Sequence, residues 1–213
     1  MRLENKVALI TGGARGIGAA ITKLFSQEGS KLVIGDVLKE EGRKIAEEIA
    51  AVGGNCFFVK LDVTNEADWK MVTEEVVDHY GKLDVLVNNA GVSARGNVED
   101  TTEAQWSRTM DINVKGTFLA INEVVPIMRK QGGGKILNLS SVTGVMGFKT
   151  FSIYCSSIAA VNYLSRSLSL ELSPDNIAVN AILPGNTATP MNVKIRTEPQ
   201  FKGMLEDLSL IHI

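Results

Sequence analysis

The residues of this chain best suited to chemistry begin at a glycine-rich turn. The apolar run Val7-Ala8-Leu9-Ile10 is followed by Thr11-Gly12-Gly13-Ala14-Arg15-Gly16-Ile17-Gly18, which leads into the helical segment Ala19-Ala20-Ile21-Thr22-Lys23-Leu24-Phe25. Gly12, Gly16 and Gly18 would let the backbone turn tightly and approach a pyrophosphate, while the N-terminus of the following helix offers N–H groups and a partial positive charge to the anion. A glycine cluster alone also fits an ordinary strand-to-helix turn; the strand before it, the helix after it and an acid downstream favour the phosphate reading. That acid is Asp36, directly after the second apolar run, where a carboxylate accepts hydrogen bonds from an adenosine ribose and repels a 2′-phosphate. NAD is therefore favoured over NADP, and Arg15 is the nearby group that could soften the preference.

The elements that must position this turn follow from hydrophobic patterning. Apolar runs with strand character recur at Val7–Ile10, Lys31–Ile34, Phe57–Val59, Leu83–Val87, Lys135–Leu139 and Ile177–Ile182. Between them lie segments of helical period at 16–29, 39–52, 65–80, 103–130 and 154–172. Strands that are apolar on both faces and separated by helices predict a parallel sheet covered on both sides. The expected fold is α/β, a Rossmann-type doubly wound sheet in three α/β/α layers, with residues 1–213 as one domain. There is no internal repeat and no linker long enough to mark a domain boundary.

Composition narrows the function classes. The 213 residues are 45% hydrophobic and 22% charged, as in ordinary globular proteins, and the formal charge of −2 argues against a nucleic-acid partner. No apolar run approaches the ~18 residues needed to cross a bilayer, and the charged start Met1-Arg2-Leu3-Glu4-Asn5-Lys6 is unlike a secretory signal, so no membrane partner and a cytoplasmic address are expected. Cys56 and Cys155 lack metal spacing and are read as reduced thiols; no metal site is expected. Asn138-Leu139-Ser140 matches the glycosylation pattern but falls in a strand expected to be buried.

The glycine spacing, with three residues between the first two glycines, resembles the TGxxxGxG motif of the short-chain dehydrogenase/reductase family, in particular its NAD-dependent alcohol dehydrogenase-like members. The resemblance continues in order along residues 6–191. Asp62-Val63 looks like the family's adenine-contacting pair, and Asn88-Asn89-Ala90-Gly91 looks like its NNAG motif. Asn113 corresponds to its active-site asparagine. Ser141 and Tyr154, thirteen apart, match its catalytic serine and tyrosine, and Pro184-Gly185 with Thr189 match the segment that holds the nicotinamide. The same resemblance implies cofactor contacts from Arg15, Ile17, Val37, Asn89, Ala90, Gly91, Tyr154 and Thr187. It also implies a small alcohol or ketone as substrate, and a homodimer or homotetramer for the full-length form.

Hydride transfer from an alcohol needs a base for the hydroxyl proton and a donor for the developing carbonyl oxygen, the roles the family gives to Tyr154 and Ser141. A tyrosine of pKa ~10 is about one part in a thousand ionised at pH 7. The family supplies help through a lysine one helical turn on, in YxxxK. Here the segment reads Tyr154-Cys155-Ser156-Ser157-Ile158, with isoleucine at the lysine position. An alkyl group supplies no charge and raises the tyrosine pKa by desolvation, so strongly impaired turnover is expected. Lys149 lies on the preceding loop, and nothing in the sequence brings its amine to the site.

Other residues have plain readings. Cys155 points about 100° around the helix from Tyr154. His79 sits near a helix C-terminus, where the dipole favours it. Lys39-Glu40-Glu41-Gly42-Arg43-Lys44 reads as a solvated helix face. Family members run to about 250 residues and finish with a further helix and strand. The final Leu208–Ile213 resembles a translated sequencing-adapter end, so the chain is read as truncated, with its last strand missing and 177–182 a bare edge. Truncation predicts poor solubility or no defined oligomer.

A catalytically silent NAD-binding or subunit-interaction protein is the competing reading. A serine hydrolase is disfavoured by the absence of G-x-S-x-G, and a P-loop NTPase by the absence of Lys-Ser/Thr after the glycine turn. Loops near 92–97, 142–151 and 186–207 are expected to set the substrate.

Overall fold

The computed structural model describes residues Met1–Val193. The tail Leu208–Ile213, His212 and the part of the 186–207 loop beyond Val193 lie outside the described residues. Six strands, β1 (Val7–Thr11), β2 (Lys31–Asp36), β3 (Asn55–Lys60), β4 (Val85–Asn88), β5 (Gly134–Leu139) and β6 (Ile177–Ile182), form one wholly parallel sheet in the order β3-β2-β1-β4-β5-β6. The order reverses between β1 and β4, and a crevice opens at the carboxyl ends of strands at such a switch point.

Strand β1 shows why the sheet is covered twice. All five of its residues are buried. Val7 and Leu9 join one core with Trp69, Val72 and Val76 of α3 (Glu66–Tyr80) and Val124 and Met128 of α5 (Gly116–Lys130). Ala8 and Ile10 join the other, with Ile21 and Phe25 of α1 (Gly16–Gln27) and Ile45 and Ile49 of α2 (Lys39–Ala51). The alternation of the pleat therefore serves two helical layers.

Local chemistry fixes the helix ends that matter. Asn65 Oδ1 accepts from the N–H groups of Ala67 and Asp68 at the start of α3, and Gly81, at φ 76°, ends it. Thr102 and Gln105 form a capping box at α4 (Glu103–Met110). The expected single helix 103–130 is in fact two: a π-helical segment, Asp111–Lys115, separates α4 from α5. The helix expected from 154 starts earlier, so that α6 runs Ser152–Leu172 and Tyr154 lies in its first turn. The fourth strand starts at Val85 instead of Leu83, because Leu83 N–H donates to the Gln131 side chain.

Candidate active site

The glycine turn sits at the carboxyl end of β1. Gly12 and Gly16 have φ values of 63° and 56°, the left-handed region that glycine occupies freely. At Gly18 the constraint is proximity, since a Cβ there would stand 2.1 Å from the Gly12 carbonyl oxygen. Arg15 occupies the N-cap of α1 without a side-chain cap bond, leaving the helix end to another partner. Its guanidinium pairs with Glu41 of α2. The Glu41 carboxyl is held below the usual carboxylate range by a backbone hydrogen bond and by Arg15.

Asp36 ends β2 and is buried. Its two carboxylate oxygens accept from Ala14 N–H and Leu38 N–H, each at 3.0 Å. The carboxylate is thus tied to the glycine turn, and Val37 beside it is 56% exposed.

Between β1 and β4 the contact is polar. Asn89 Nδ2 donates to the carbonyls of Thr11 at 2.9 Å and Gly12 at 3.0 Å. Thr11 Oγ1 accepts from the N–H groups of Asn89 and Ala90, both at 3.0 Å. Asn89 therefore acts as a clasp on the glycine turn, and Thr11 is its counterpart. Asp62, after β3, is exposed and turned onto its own loop, with Oδ1 accepting from the N–H and hydroxyl of Thr64, which lower its pKa. The Val63 side chain packs in the core, and its carbonyl accepts from Trp69 Nε1 at 2.9 Å.

The reaction side gathers around α6. Asn113 lies in the π segment and is buried, and its amide is fully engaged. Oδ1 accepts from Val92 N–H at 2.8 Å, while Nδ2 donates to Val92 O at 2.9 Å and to Ser157 Oγ at 3.0 Å. Asn113 thus braces the loop after β4 against α6. Ser141 Oγ, just beyond β5, accepts from Thr143 N–H at 3.2 Å and approaches the Pro184 carbonyl at 3.5 Å. Burial holds Tyr154 above the ordinary tyrosine value, and the nearby Ser141 side chain opposes that shift. Ser140, the serine nearer the core, donates instead to the Ile158 carbonyl at 3.3 Å.

Ile158 is 5% exposed and packs on the short turn after Ser141, where a Cβ at Gly144 would lie 3.0 Å from its Cγ2. The same Cβ would meet Asn162 Nδ2 at 2.5 Å. Both amide atoms of buried Asn162, and Thr143 Oγ1, lack a hydrogen-bond partner among the described residues. Lys149 is exposed on the loop before α6.

After β6, Pro184 O accepts from Val142 N–H at 3.1 Å, linking this loop to that of Ser141. Thr187 is exposed, with its hydroxyl 3.5 Å from Gly185 O. Thr189 folds back over the glycine turn, so that a Cβ at Gly16 would sit 3.4 Å from Thr189 Cβ. Contacts at the carboxyl ends of the strands thus join the expected residues after β1 to those after β4, through Gly12 and Asn89, and to those after β6, through Gly16 and Thr189, and join Ser141 to Pro184. The side chains of Asp62, Val63 and Asn113 are engaged elsewhere, Asp62 with its own loop and the other two in the surrounding frame.

Four features escape the sequence. Thr11 reads as the last residue of a strand, Ser157 as a helix residue, and the π segment as continuous helix. Asn162 is the fourth. A buried polar ladder from Asn88 through Asn138 to Ser165, with bonds of 2.9 and 2.8 Å, also crosses β4, β5 and α6. Asn138 is completely buried within it, in line with the reading of its sequon as structural. Among the described residues no helix is long and apolar enough to cross a membrane, and no three His, Cys, Asp or Glu side chains gather as metal ligands.

Comparison with known proteins agrees with this geometry. The family profile described as short chain dehydrogenase matches residues 6–200. A trans-4-hydroxycyclohexanecarboxylate dehydrogenase from Sinomonas cyclohexanicum is 41% identical over 201 residues, covering 92% of this chain and 77% of the relative. A 3-alpha-(or 20-beta)-hydroxysteroid dehydrogenase from Mycobacterium bovis is 44% identical over 190 residues, covering 89% and 72%. A solved structure described as a short-chain dehydrogenase/reductase from Burkholderia xenovorans superposes with a TM-score of 0.92 at 30% identity, covering 98% of this chain and 82% of that one. With its parallel sheet, glycine turn and Ser141–Tyr154 pair in that family's order, the chain belongs to the short-chain dehydrogenase family and is an oxidoreductase acting on hydroxyl groups.

Proposed function

We propose that the chain is an oxidoreductase that takes NAD(H) in preference to NADP(H), acts on an alicyclic secondary alcohol or its ketone, and has a proton-transfer step strongly impaired by Ile158. The observation that carries the reading is the placement of Ser141, just beyond β5, and Tyr154, in the first turn of α6, near enough for the serine side chain to favour the tyrosine phenolate. The residues present fit a dinucleotide: α1 has no side-chain cap, Gly18 has no room for a Cβ, and Asp36 is fixed beside the turn by two backbone N–H groups. Its negative charge disfavours a 2′-phosphate, and Arg15 is engaged with Glu41.

When bound, the nicotinamide supplies the hydride acceptor. Tyr154 Oη takes the proton of the substrate hydroxyl, and Ser141 Oγ donates to the oxygen on which the carbonyl develops. Lowering a tyrosine pKa from ~10 toward ~7 needs about 4 kcal/mol of phenolate stabilisation, which a nearby cation supplies and an alkyl group does not. Buried Ile158 adds desolvation, so Tyr154 keeps its proton through neutral pH.

The substrate class rests on relatives named for a hydroxycyclohexanecarboxylate and a hydroxysteroid. A homodimer or homotetramer is supported by Trp106, Phe118, Tyr163 and Leu170, apolar residues of α4, α5 and α6 that are 47–79% exposed. Light scattering that returned a monomer would overturn that part.

The test pairs two measurements. NADH should quench or enhance protein fluorescence on titration, and a panel of alicyclic alcohols should turn over slowly with NAD but faster in Ile158→Lys. Absence of dinucleotide binding would overturn the cofactor reading. Equal turnover in the two forms would overturn the role given to Ile158.

A further inference from the structure

The first turn of α6 carries Tyr154 without the usual anchor of a helix start. Phe151, at the N-cap, makes no side-chain hydrogen bond to the turn. Tyr154 is the third residue of the helix, so its place depends on what else holds that turn.

Ser157 supplies the hold. It is completely buried, and its Oγ donates to the Tyr154 carbonyl at 2.8 Å while accepting from Asn113 Nδ2 at 3.0 Å. Asn113 also grips both the N–H and the carbonyl of Val92, at 2.8 and 2.9 Å. One unbroken set of bonds therefore runs from the loop after β4, through the π segment, to the backbone of Tyr154.

A serine within a helix commonly returns its hydroxyl to the preceding turn, as Ser169 does to Arg166 O at 2.7 Å. Ser165, buried two turns beyond Ser157, donates to Val161 O at 2.7 Å and accepts from Asn138 Nδ2 at 2.8 Å. Ser157 and Ser165 thus share one bonding pattern with different endpoints. Ser165 ties the body of α6 to β5, whereas Ser157 ties the turn of Tyr154 to Asn113 and Val92.

We propose that Ser157 is a positioning residue for the reaction, setting the backbone of Tyr154 against Asn113 so that the tyrosine hydroxyl and the loop after β4 keep one spacing. This rests on the reading of Tyr154 as the base given above. Being fully buried, Ser157 acts through Tyr154. A reacting group misplaced by about 1 Å costs on the order of 10²-fold in rate. Ser157→Ala removes the donor on the Tyr154 carbonyl and leaves Asn113 Nδ2 with Val92 O alone.

The experiment compares Ser157→Ala with Ser165→Ala, which breaks the same pattern elsewhere on the helix. The chain has three tyrosines, so a sample labelled with carbon-13 at tyrosine Cζ gives three NMR signals, and Tyr154→Phe identifies that of Tyr154. In Ser157→Ala the Tyr154 signal should move by more than its line width, while those of Tyr80 and Tyr163 stay in place. Oxidation of an alicyclic alcohol at pH 9 should fall at least about tenfold in kcat, with NADH affinity changed by less than about twofold. Ser165→Ala should lower the urea midpoint and leave the Tyr154 signal and kcat as they are. An unmoved Tyr154 signal or an unchanged kcat in Ser157→Ala would overturn the proposal. So would equal effects of the two alanine variants on Tyr154, which would make Ser157 only part of the helix packing. Ser157→Cys, of similar size and a weaker donor, carries the same test should Ser157→Ala lose its cooperative urea transition. No turnover by the native chain would overturn the functional reading instead, because the Tyr154 signal is recorded without cofactor or substrate and still decides whether Ser157 places that residue.

Discussion

The two halves of the crevice are built in different ways. On the nucleotide side, β1, β2 and α1 shape the surface with backbone: Asp36 is fixed by the Ala14 and Leu38 N–H groups, and Asn89 clasps the carbonyls of Thr11 and Gly12. On the reaction side, β5, α6 and the loops between them rely on side chains. There Tyr154 is pushed above its ordinary pKa, Thr150 is strained, and the Asn162 amide has no partner among the described residues. A site made of backbone tolerates any sequence that keeps its glycines, and loses its shape when they are lost. A site made of side chains can keep its shape and still lose its chemistry through one residue, which is the effect proposed for Ile158.

The largest expected effect tests that contrast directly. Ile158→Lys should raise alcohol oxidation by at least ~10²-fold, within the usual range of a general acid–base contribution. It should also move the rising limb of the pH–rate profile toward neutrality. In the Ile158 form the rate should keep climbing with pH through 9, since the raised Tyr154 pKa delays phenolate formation. NADH affinity should change much less than rate; a matching loss of affinity would mean that the two halves are not separable.

Next in size is Gly18→Ala, which places a methyl 2.1 Å from a backbone oxygen that has no flexible end to move. A loss of about 2–3 kcal/mol in urea unfolding is expected, the upper range for overpacking, together with loss of NADH binding. Unchanged stability would show that the nucleotide half is more pliant than its contacts imply. Asp36→Ala is milder: the native chain should prefer NADH over NADPH by at least about tenfold, ~1.4 kcal/mol, and the variant should narrow that gap. Equal binding of both cofactors to the native chain would remove the role given to this carboxylate.

The smallest change concerns Asn162. An orphaned buried amide costs about 1–3 kcal/mol, so Asn162→Leu, of similar volume, should raise stability by about 1 kcal/mol in denaturant unfolding. A loss of stability would mean that the amide has a partner after all, and the reaction half would then be as well satisfied as the nucleotide half.

The same division explains what could be read in advance. The glycine turn, the strand before it and Asp36 are contiguous features governed by local backbone rules, and each lies where the pattern placed it. All six strands follow from apolar runs, because a parallel sheet buried on both faces leaves a strong compositional trace. The hydrogen bond from Arg95 Nε to Thr150 Oγ1 could not be foreseen, since it depends on two loops, about fifty residues apart in sequence, meeting in the fold. Thr11 has nothing in its neighbourhood to separate a strand end from an acceptor for two N–H groups. The break at Asp111–Lys115 is hidden because the apolar residues on either side keep a helical period across it. Asn113 was placed by family resemblance, yet its amide turns out to brace Val92 and Ser157, contacts that no spacing rule contains.

A π turn has the form of an insertion that a helix has absorbed without breaking. In this chain the added residue falls where Asn113 reaches both Val92 and Ser157. Removing one residue from 111–115 would restore an ordinary helix and swing Glu103–Met110 by about 100° relative to Gly116–Lys130. The Thr102–Gln105 cap and buried Thr109 would leave their places with it. Length, more than composition, is therefore what this stretch has to conserve. Single deletions there should be among the least tolerated in the molecule, while substitutions at its exposed positions, Asp111 and Lys115, pass with little effect.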